Sequence, residues 1–222
     1  MNKIKAGKFK AKDSQAEYIA ERREADTQIK NFAGFDLAIF GGVYKASTDT
    51  QLMIDTVEIL PTQNFLEVGC GCGVIAMALA LKAKQGLGVD INSQAIANSI
   101  VNTKKYQIAN LEFLQSDLFD QVKGKFDVVV CNPPYSNHRA EDEVAKMFWD
   151  DDNEMKRRFF EQVGSYLLPG GVIYFGWADF ADIDVNLPFE LAEKNGFKVV
   201  DISKKKSNHR NYSLFVLKIQ RV

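Results

Sequence analysis

Asn132-Pro133-Pro134-Tyr135 closes an apolar run, Phe126 to Cys131, that only Asp127 interrupts. Such a run has the composition of a buried central strand in a parallel sheet, which puts the four residues just beyond a sheet edge. Two successive prolines fix the backbone there and turn the Pro133 carbonyl outward. Asn132 adds an amide oxygen acceptor beside it. Two acceptors on a rigid corner can hold both hydrogens of a planar –NH₂ group, and the Tyr135 ring can stack on its flat face. The nitrogen of such a group is a poor nucleophile because its lone pair is delocalised. Holding its hydrogens orients it for in-line displacement and favours the positive charge that develops. The resulting cation loses its proton readily, so the chemistry needs no dedicated base.

A second string, Glu67-Val68-Gly69-Cys70-Gly71-Cys72-Gly73, sits where a strand gives way to a helix. Its glycines permit a tight turn and close approach of a ligand, and the carboxyl end of the first strand is where open α/β sheets bind ligands. Asp90, seventeen residues after Gly73, ends the next strand. An acid there can accept hydrogen bonds from both ribose hydroxyls of an adenosine. The dinucleotide pattern GxGxxG fails because position 74 is valine. A pyrophosphate would also be repelled by Glu67, whereas S-adenosyl-L-methionine carries an ammonium and a sulfonium that a carboxylate attracts. The set therefore suits that methyl donor better than NAD. After the third strand, Asp117 can accept the adenine amino group and Leu118 can cover a ring face; Asp117 as an ordinary loop or cap residue fits equally well on local grounds.

The elements that must position these residues follow from patterning. Strands are expected at 65–68, 86–90, 111–114, 126–131, 172–175, 197–202 and 212–219. Helices are expected at 48–60 (ended by Pro61), 74–84, 93–106, 154–168 and 188–194, with Pro169-Gly170-Gly171 as a turn. Alternation of the two means a doubly wound α/β sheet with helices on both faces; the last two strands, lacking a helix between them, must pair antiparallel. Residues 1–30 read as a frayed basic tail or, alternatively, as a partner- or substrate-binding extension. The 222 residues give 46% apolar and 26% charged content, which excludes disordered and disulfide-dense classes. Twenty-eight basic against 29 acidic residues argue against a dedicated nucleic-acid binder. Three cysteines in no framework spacing suit a reducing, cytoplasmic setting, and no run approaches a membrane span.

In this order and spacing EVGCGCG, VDIN, SDLF and NPPY resemble the class I methyltransferases, and among them the HemK-type protein-glutamine methyltransferases. The similarity runs from about Val43 to Ile219, and VYKASTDTQLMID and RFFEQVGSYLLPGGVIYF also have counterparts in that family. The resemblance implies a Rossmann-like domain over 47–222 with a seven-stranded, mostly parallel sheet and an antiparallel last strand, preceded by an extension over 1–46. The expected donor site is Glu67, Gly69, Gly71, Gly73, Asp90, Ile91, Asp117, Leu118 and Asn132. The expected catalytic set is Asn132, Pro133, Pro134 and Tyr135, with no metal. By resemblance the substrate is a glutamine side chain of a protein such as a translation factor; an exocyclic amine of adenine or guanine in RNA is the alternative, because the tetrad reports a planar amino group and not its carrier. A donor-binding module without catalysis is a third reading, which closure of the pocket by 136–153 would mark. An activating subunit is compatible with all three.

Two departures from the family stand out. Only about 40 residues precede the core, where bacterial release-factor enzymes carry a larger helical domain. After the tetrad the family's glycine-containing stretch around a tryptophan is replaced by AEDEVAKMFWDDDNEMKRR. Residues 141–154 hold seven acids and one lysine, read as a solvated loop or an acidic lip that would repel a phosphate backbone. Lys204, Lys205, Lys206 and Arg210 form a small basic turn. His138, Phe148 and Trp149 are candidate pocket walls, with incidental placement or core packing as the plainer reading.

Overall fold

The alternating pattern builds one seven-stranded sheet in this computed structural model, which describes residues 4–207 and 211–222. A helix α1 (Lys12–Glu24) and an antiparallel hairpin, β1 (Gln28–Phe32) and β2 (Phe35–Ile39), come first. There follow α2 (Thr48–Thr56), β3 (Asn64–Val68), α3 (Val74–Ala80), β4 (Gln85–Asp90), α4 (Ser93–Lys105), β5 (Leu111–Gln115) and β6 (Phe126–Cys131). The chain ends with α5 (Glu154–Val163), β7 (Leu167–Ala178), α6 (Leu187–Lys194), β8 (Phe197–Lys206) and β9 (Ser213–Arg221). The sheet order is β5-β4-β3-β6-β7-β9-β8. Only β9 runs against the rest, pairing antiparallel with both β7 and β8.

From β3 the chain steps outward through β4 and β5, then returns to β6 on the other side of β3. Right-handed crossovers therefore put α3 and α4 on one face and α5 on the opposite one. The reversal opens a crevice at the carboxyl ends of β3 and β6, the switch point where such sheets take ligands. β6 is central, with Val128 through Cys131 at most 2% exposed. Its one polar interruption is accounted for: the Asp127 carboxylate accepts the Asn64 N–H that opens β3, at 2.8 Å.

Several boundaries differ from the expected ones. α2 stops at Thr56, four residues before the expected end, and α3 and α5 also stop short, at Ala80 and Val163. Pro169-Gly170-Gly171 is no turn before a strand: it lies inside β7 as a bulge, marked by the register jump from Phe126↔Leu167 to Val128↔Val172. The expected polar link from 203 continues β8 as far as Lys206, because Ser203 to Lys206 pair with Val216 to Ser213. Arg210 of the expected basic turn lies outside the described residues.

The start of the chain is no frayed tail over 12–24. Arg22 is fully buried, its guanidinium donating to the carbonyls of Val43 and Phe40. The hairpin docks through two buried asparagines of α4: Asn98 and Asn102 accept from the N–H groups of Phe40 and Ala38 and donate to the Ala38 carbonyl. Phe35, Leu37 and Ile39 join the main core. Among the described residues no helix is long and apolar enough to cross a membrane, and no cluster of His, Cys, Asp or Glu could hold a metal.

Candidate active site

The crevice holds a cavity of about 480 Å³, and Glu67 to Cys72, Asp90 to Asn92, Ser116 to Leu118 and the tetrad line it; Gly73, expected in the donor site, is not among the lining residues. Gly69, Gly71 and Gly73 have φ of 78°, 53° and 83°, the left-handed region that glycine alone enters without strain. A Cβ on Gly69 or Gly71 would meet nothing within 4 Å, whereas one on Gly73 would lie 2.8 Å from Ser99 Oγ. The first two glycines thus leave backbone open for a ligand, and the third lets the loop close against α4.

Glu67 is 1% exposed, and its Oε2 accepts the Ala76 N–H at 2.8 Å. Gly73, the N-cap residue of α3, has no side chain to cap with, so the carboxylate of β3 does that work. Burial pushes the Glu67 carboxyl well above its ordinary pKa; the Ala76 N–H opposes this and the nearby Asp90 charge adds to it. Asp90 is also raised by burial, against bonds from the Asn92 and Gly71 N–H groups, both 2.9 Å. It therefore ties the glycine loop to β4 while facing the cavity with its remaining lone pairs. Asp117 is engaged otherwise: its Oδ2 lies 3.0 Å from Arg158 Nη1, a half-exposed ion pair that the sequence does not announce.

Asn132 is held on both sides. Its Nδ2 donates to Asp49 Oδ2 at 2.9 Å, and its Oδ1 accepts the Tyr135 hydroxyl at 2.6 Å. This network fixes which way the amide points. One lone pair of Oδ1 serves Tyr135, leaving the other for the cavity. The space is made by Gly176 of β7, where any side chain would overlap Asn132 Oδ1. The Tyr135 ring is only 8% exposed, edge-on to Trp177 at 5.8 Å and tilted against Phe180. Tyr135 is thus placed as a hydrogen-bond donor in the wall more than as the flat stacking surface expected. Burial, with the Asp49 charge next, holds its phenol well above the ordinary value, so it keeps the proton it donates.

Asp49 is the residue that sequence reading misses. It is visible there only inside the segment VYKASTDTQLMID, at the start of α2, whose N-cap is Ser47, with the Ser47 N–H donating to Thr50 Oγ1 at 3.0 Å. The Asp49 carboxylate collects the Tyr44 and Ser47 hydroxyls, the Thr50 N–H and the Asn132 amide.

The segment after the tetrad roofs the cavity without filling it. Met147, Phe148 and Trp149 line it, and α1 holds them: Gln15 Oε1 accepts the Trp149 indole N–H at 3.1 Å, and the Tyr18 ring meets Phe148 edge-on. His138 packs against Trp149 and is not among the lining residues. The acidic lip is solvated but only partly free: Asp142 pairs with Arg23, Asp150 with Lys156, Asp152 with Arg157 and Glu154 with Arg158, while Glu143 and Asp151 line the cavity with no ion pair among the described residues. All three cysteines are free and buried.

With this geometry in view, the model of the methyltransferase small domain matches residues 40–201. The chain belongs to the methyltransferase small domain family. A Methanocaldococcus jannaschii protein, provisionally named as a protein N5-glutamine methyltransferase, is 36% identical over 65% of this chain and 77% of its own length. The release factor glutamine methyltransferase of Haemophilus influenzae is 36% identical over 41% of this chain and 35% of its own length. The small-subunit ribosomal RNA methyltransferase C of Alcanivorax borkumensis is 28% identical over 61% of this chain and 41% of its own. The match thus spans less than half of the last two relatives. The crystal structure of a ribosomal protein L11 methylase from Lactobacillus delbrueckii shares the fold, with a TM-score of 0.59 and 21% identity over 82% of this chain and 83% of that one. The Rossmann-like methyltransferase architecture expected from the motifs is the one observed.

Proposed function

We propose that the protein transfers a methyl group from S-adenosyl-L-methionine to the amide nitrogen of a glutamine side chain in a protein. One observation carries the reading: the open glycine loop and the Asn132 clamp line the same cavity at the β3–β6 switch point. The residues fit the donor, since two bare glycine Cα positions and two carboxylates face the space. When bound, the donor supplies an electrophilic methyl on a positively charged sulfur. Glu67, Gly69, Gly71, Asp90 and Ile91 would hold it, with Gly73 closing the loop behind them against α4 and Asp117 and Leu118 at the adenine end, where Asp117 must be shared with Arg158. Asn132 Oδ1 and the Pro133 carbonyl would accept the two amide hydrogens and leave the nitrogen lone pair directed away from them. Tyr135 and Asp49 keep the Asn132 amide from rotating. Residues 47–222 form the methyltransferase domain in this reading, and the 1–46 extension braces the roof through α1. A cytoplasmic setting accords with three buried free thiols.

The names of the M. jannaschii and H. influenzae relatives support a glutamine acceptor; that of the A. borkumensis relative supports RNA as the second reading. Labelled methyl transfer into a cell lysate separates the two. The expected label survives RNase and disappears with protease. Loss to RNase assigns the activity to RNA, and absence of label in any polymer returns the domain to a binding role.

Donor affinity should depend on pH through Glu67. Its raised pKa means that the empty site holds a proton at pH values where a free carboxyl has lost it. A cationic ligand favours the carboxylate, so binding expels that proton, and affinity rises with pH up to the raised pKa, by at most about tenfold per unit. Calorimetry in buffers of different ionisation enthalpy should show more proton release from wild type than from Glu67→Gln. Equal release from both would overturn this account of Glu67.

A further inference from the structure

Pro133 and Pro134 carry no N–H, so half of the tetrad cannot be pinned by backbone donation. The structure supplies the missing anchor from α5. Lys156, 1% exposed, donates to the Pro134 carbonyl at 2.9 Å and pairs with Asp150 Oδ2 at 2.8 Å. Asp150 is 6% exposed; its carboxylate also accepts the N–H groups of Met155 and Lys156. The Asp150 N–H donates to the Ser136 carbonyl at 2.9 Å, and the Ser136 N–H donates to the Phe148 carbonyl at 3.2 Å. These bonds close a ring with the tetrad on one side and the cavity roof, Phe148 and Trp149, on the other. Lys156 itself is not among the residues lining the cavity.

Helical spacing makes this placement informative. Lys156, Phe159, Phe160 and Val163 form the buried stripe of α5, at i, i+3, i+4 and i+7. An apolar residue at the first position would spare the desolvation of two charges, and buried ion pairs are often no more stabilising than apolar pairs of like volume. The lowered pKa of the Lys156 amine, caused by burial and opposed by Asp150, reflects that cost. Stability alone does not explain a cation here; a carbonyl of the tetrad that needs a donor does.

We propose that Lys156 is a positioning residue for methyl transfer: its Asp150-neutralised ammonium fixes the Pro134 carbonyl, and with it the aim of the Pro133 carbonyl and the spacing between clamp and roof. The inference rests on the reading of the tetrad as an amide clamp. Lys156→Met alone leaves Asp150 buried and unpaired and is expected to fold poorly. The decisive variant is the double substitution Lys156→Met with Asp150→Asn, in which the new amide oxygen keeps an acceptor for the α5 N–H groups and no charge is left unpaired. Its expected melting temperature returns to near the wild-type value, while kcat stays about tenfold or more below wild type with the donor Kd unchanged. Recovery of kcat together with stability overturns the proposal. The crystal structure of the double variant reads the geometry without turnover: the Pro134 carbonyl should be reoriented and residues 148–149 displaced, and an unmoved tetrad likewise overturns the proposal. Wild-type protein inactive on every acceptor would instead sink the functional reading, and the structural arm would then decide the role of Lys156.

Discussion

Asn132→Ala should lower methyl transfer by about 10³-fold or more while the donor Kd stays within about threefold of wild type. The expected effect is large because Asn132 offers the side-chain acceptor that the structure aims and holds at the end of β6, between the Asp49 carboxylate and the Tyr135 hydroxyl. Alanine takes the acceptor from the buried Tyr135 hydroxyl and one of several donors from Asp49, which costs about 1–3 kcal/mol of stability, so folding is checked first by thermal melting. Single-turnover rates at saturating donor then isolate the chemical step. Turnover equal to wild type would sink the clamp mechanism. Asn132→Asp is the informative companion. It keeps an acceptor but sets a second carboxylate against Asp49, and like charges at that distance cannot both ionise. Its residual activity should therefore increase as pH falls, opposite in sign to the trend Glu67 imposes on donor affinity.

What can be read in advance divides by range along the chain. β6 and the strands around it are legible because a strand buried on both faces must be apolar throughout, and the run 126–131 is so except at Asp127. The glycine loop and the tetrad are legible because turn chemistry is local. α1 and the β1–β2 hairpin are not. The buried residues of α1 are Gln15, Ile19 and Arg22, which carry little apolar signal. The hairpin depends on Asn98 and Asn102, some 58 to 64 residues away in sequence. The same holds within the site, where Asp49 reaches Asn132 across 83 positions and Lys156 reaches Pro134 across 22. No short motif encodes either contact. Lys156 alone leaves a trace, as a cation on an otherwise apolar helical stripe. The charge of the 141–154 segment is legible as a total, but its local sign depends on Arg23, Lys156 and Arg157 arriving from α1 and α5.

The distance between Asp49 and its target makes it the sharper test of how the clamp is aimed. Asp49→Asn is nearly isosteric, yet about a 10²-fold loss of kcat is expected, the scale set by small misplacements of reacting groups. The native carboxylate is acceptor-only and receives five donors: the Tyr44, Ser47 and, at 3.4 Å, Thr50 hydroxyls, the Thr50 N–H and the Asn132 amide. An asparagine has one oxygen to offer and brings an –NH₂ into a site already filled with donors. If its oxygen turns to Ser47 and Thr50, its –NH₂ faces that of Asn132, and the Asn132 amide must rotate. Rotation withdraws Oδ1 from the Tyr135 hydroxyl and presents –NH₂ to the cavity, where it repels the amide hydrogens it should accept. The donor site, built from β3 and β4, is untouched, so donor Kd should hold while kcat falls. Loss of the charge-assisted bonds should also destabilise the fold by about 1–3 kcal/mol. A kcat within about threefold of wild type in a folded Asp49→Asn protein would show that Tyr135 and the packing around Gly176 orient Asn132 without Asp49.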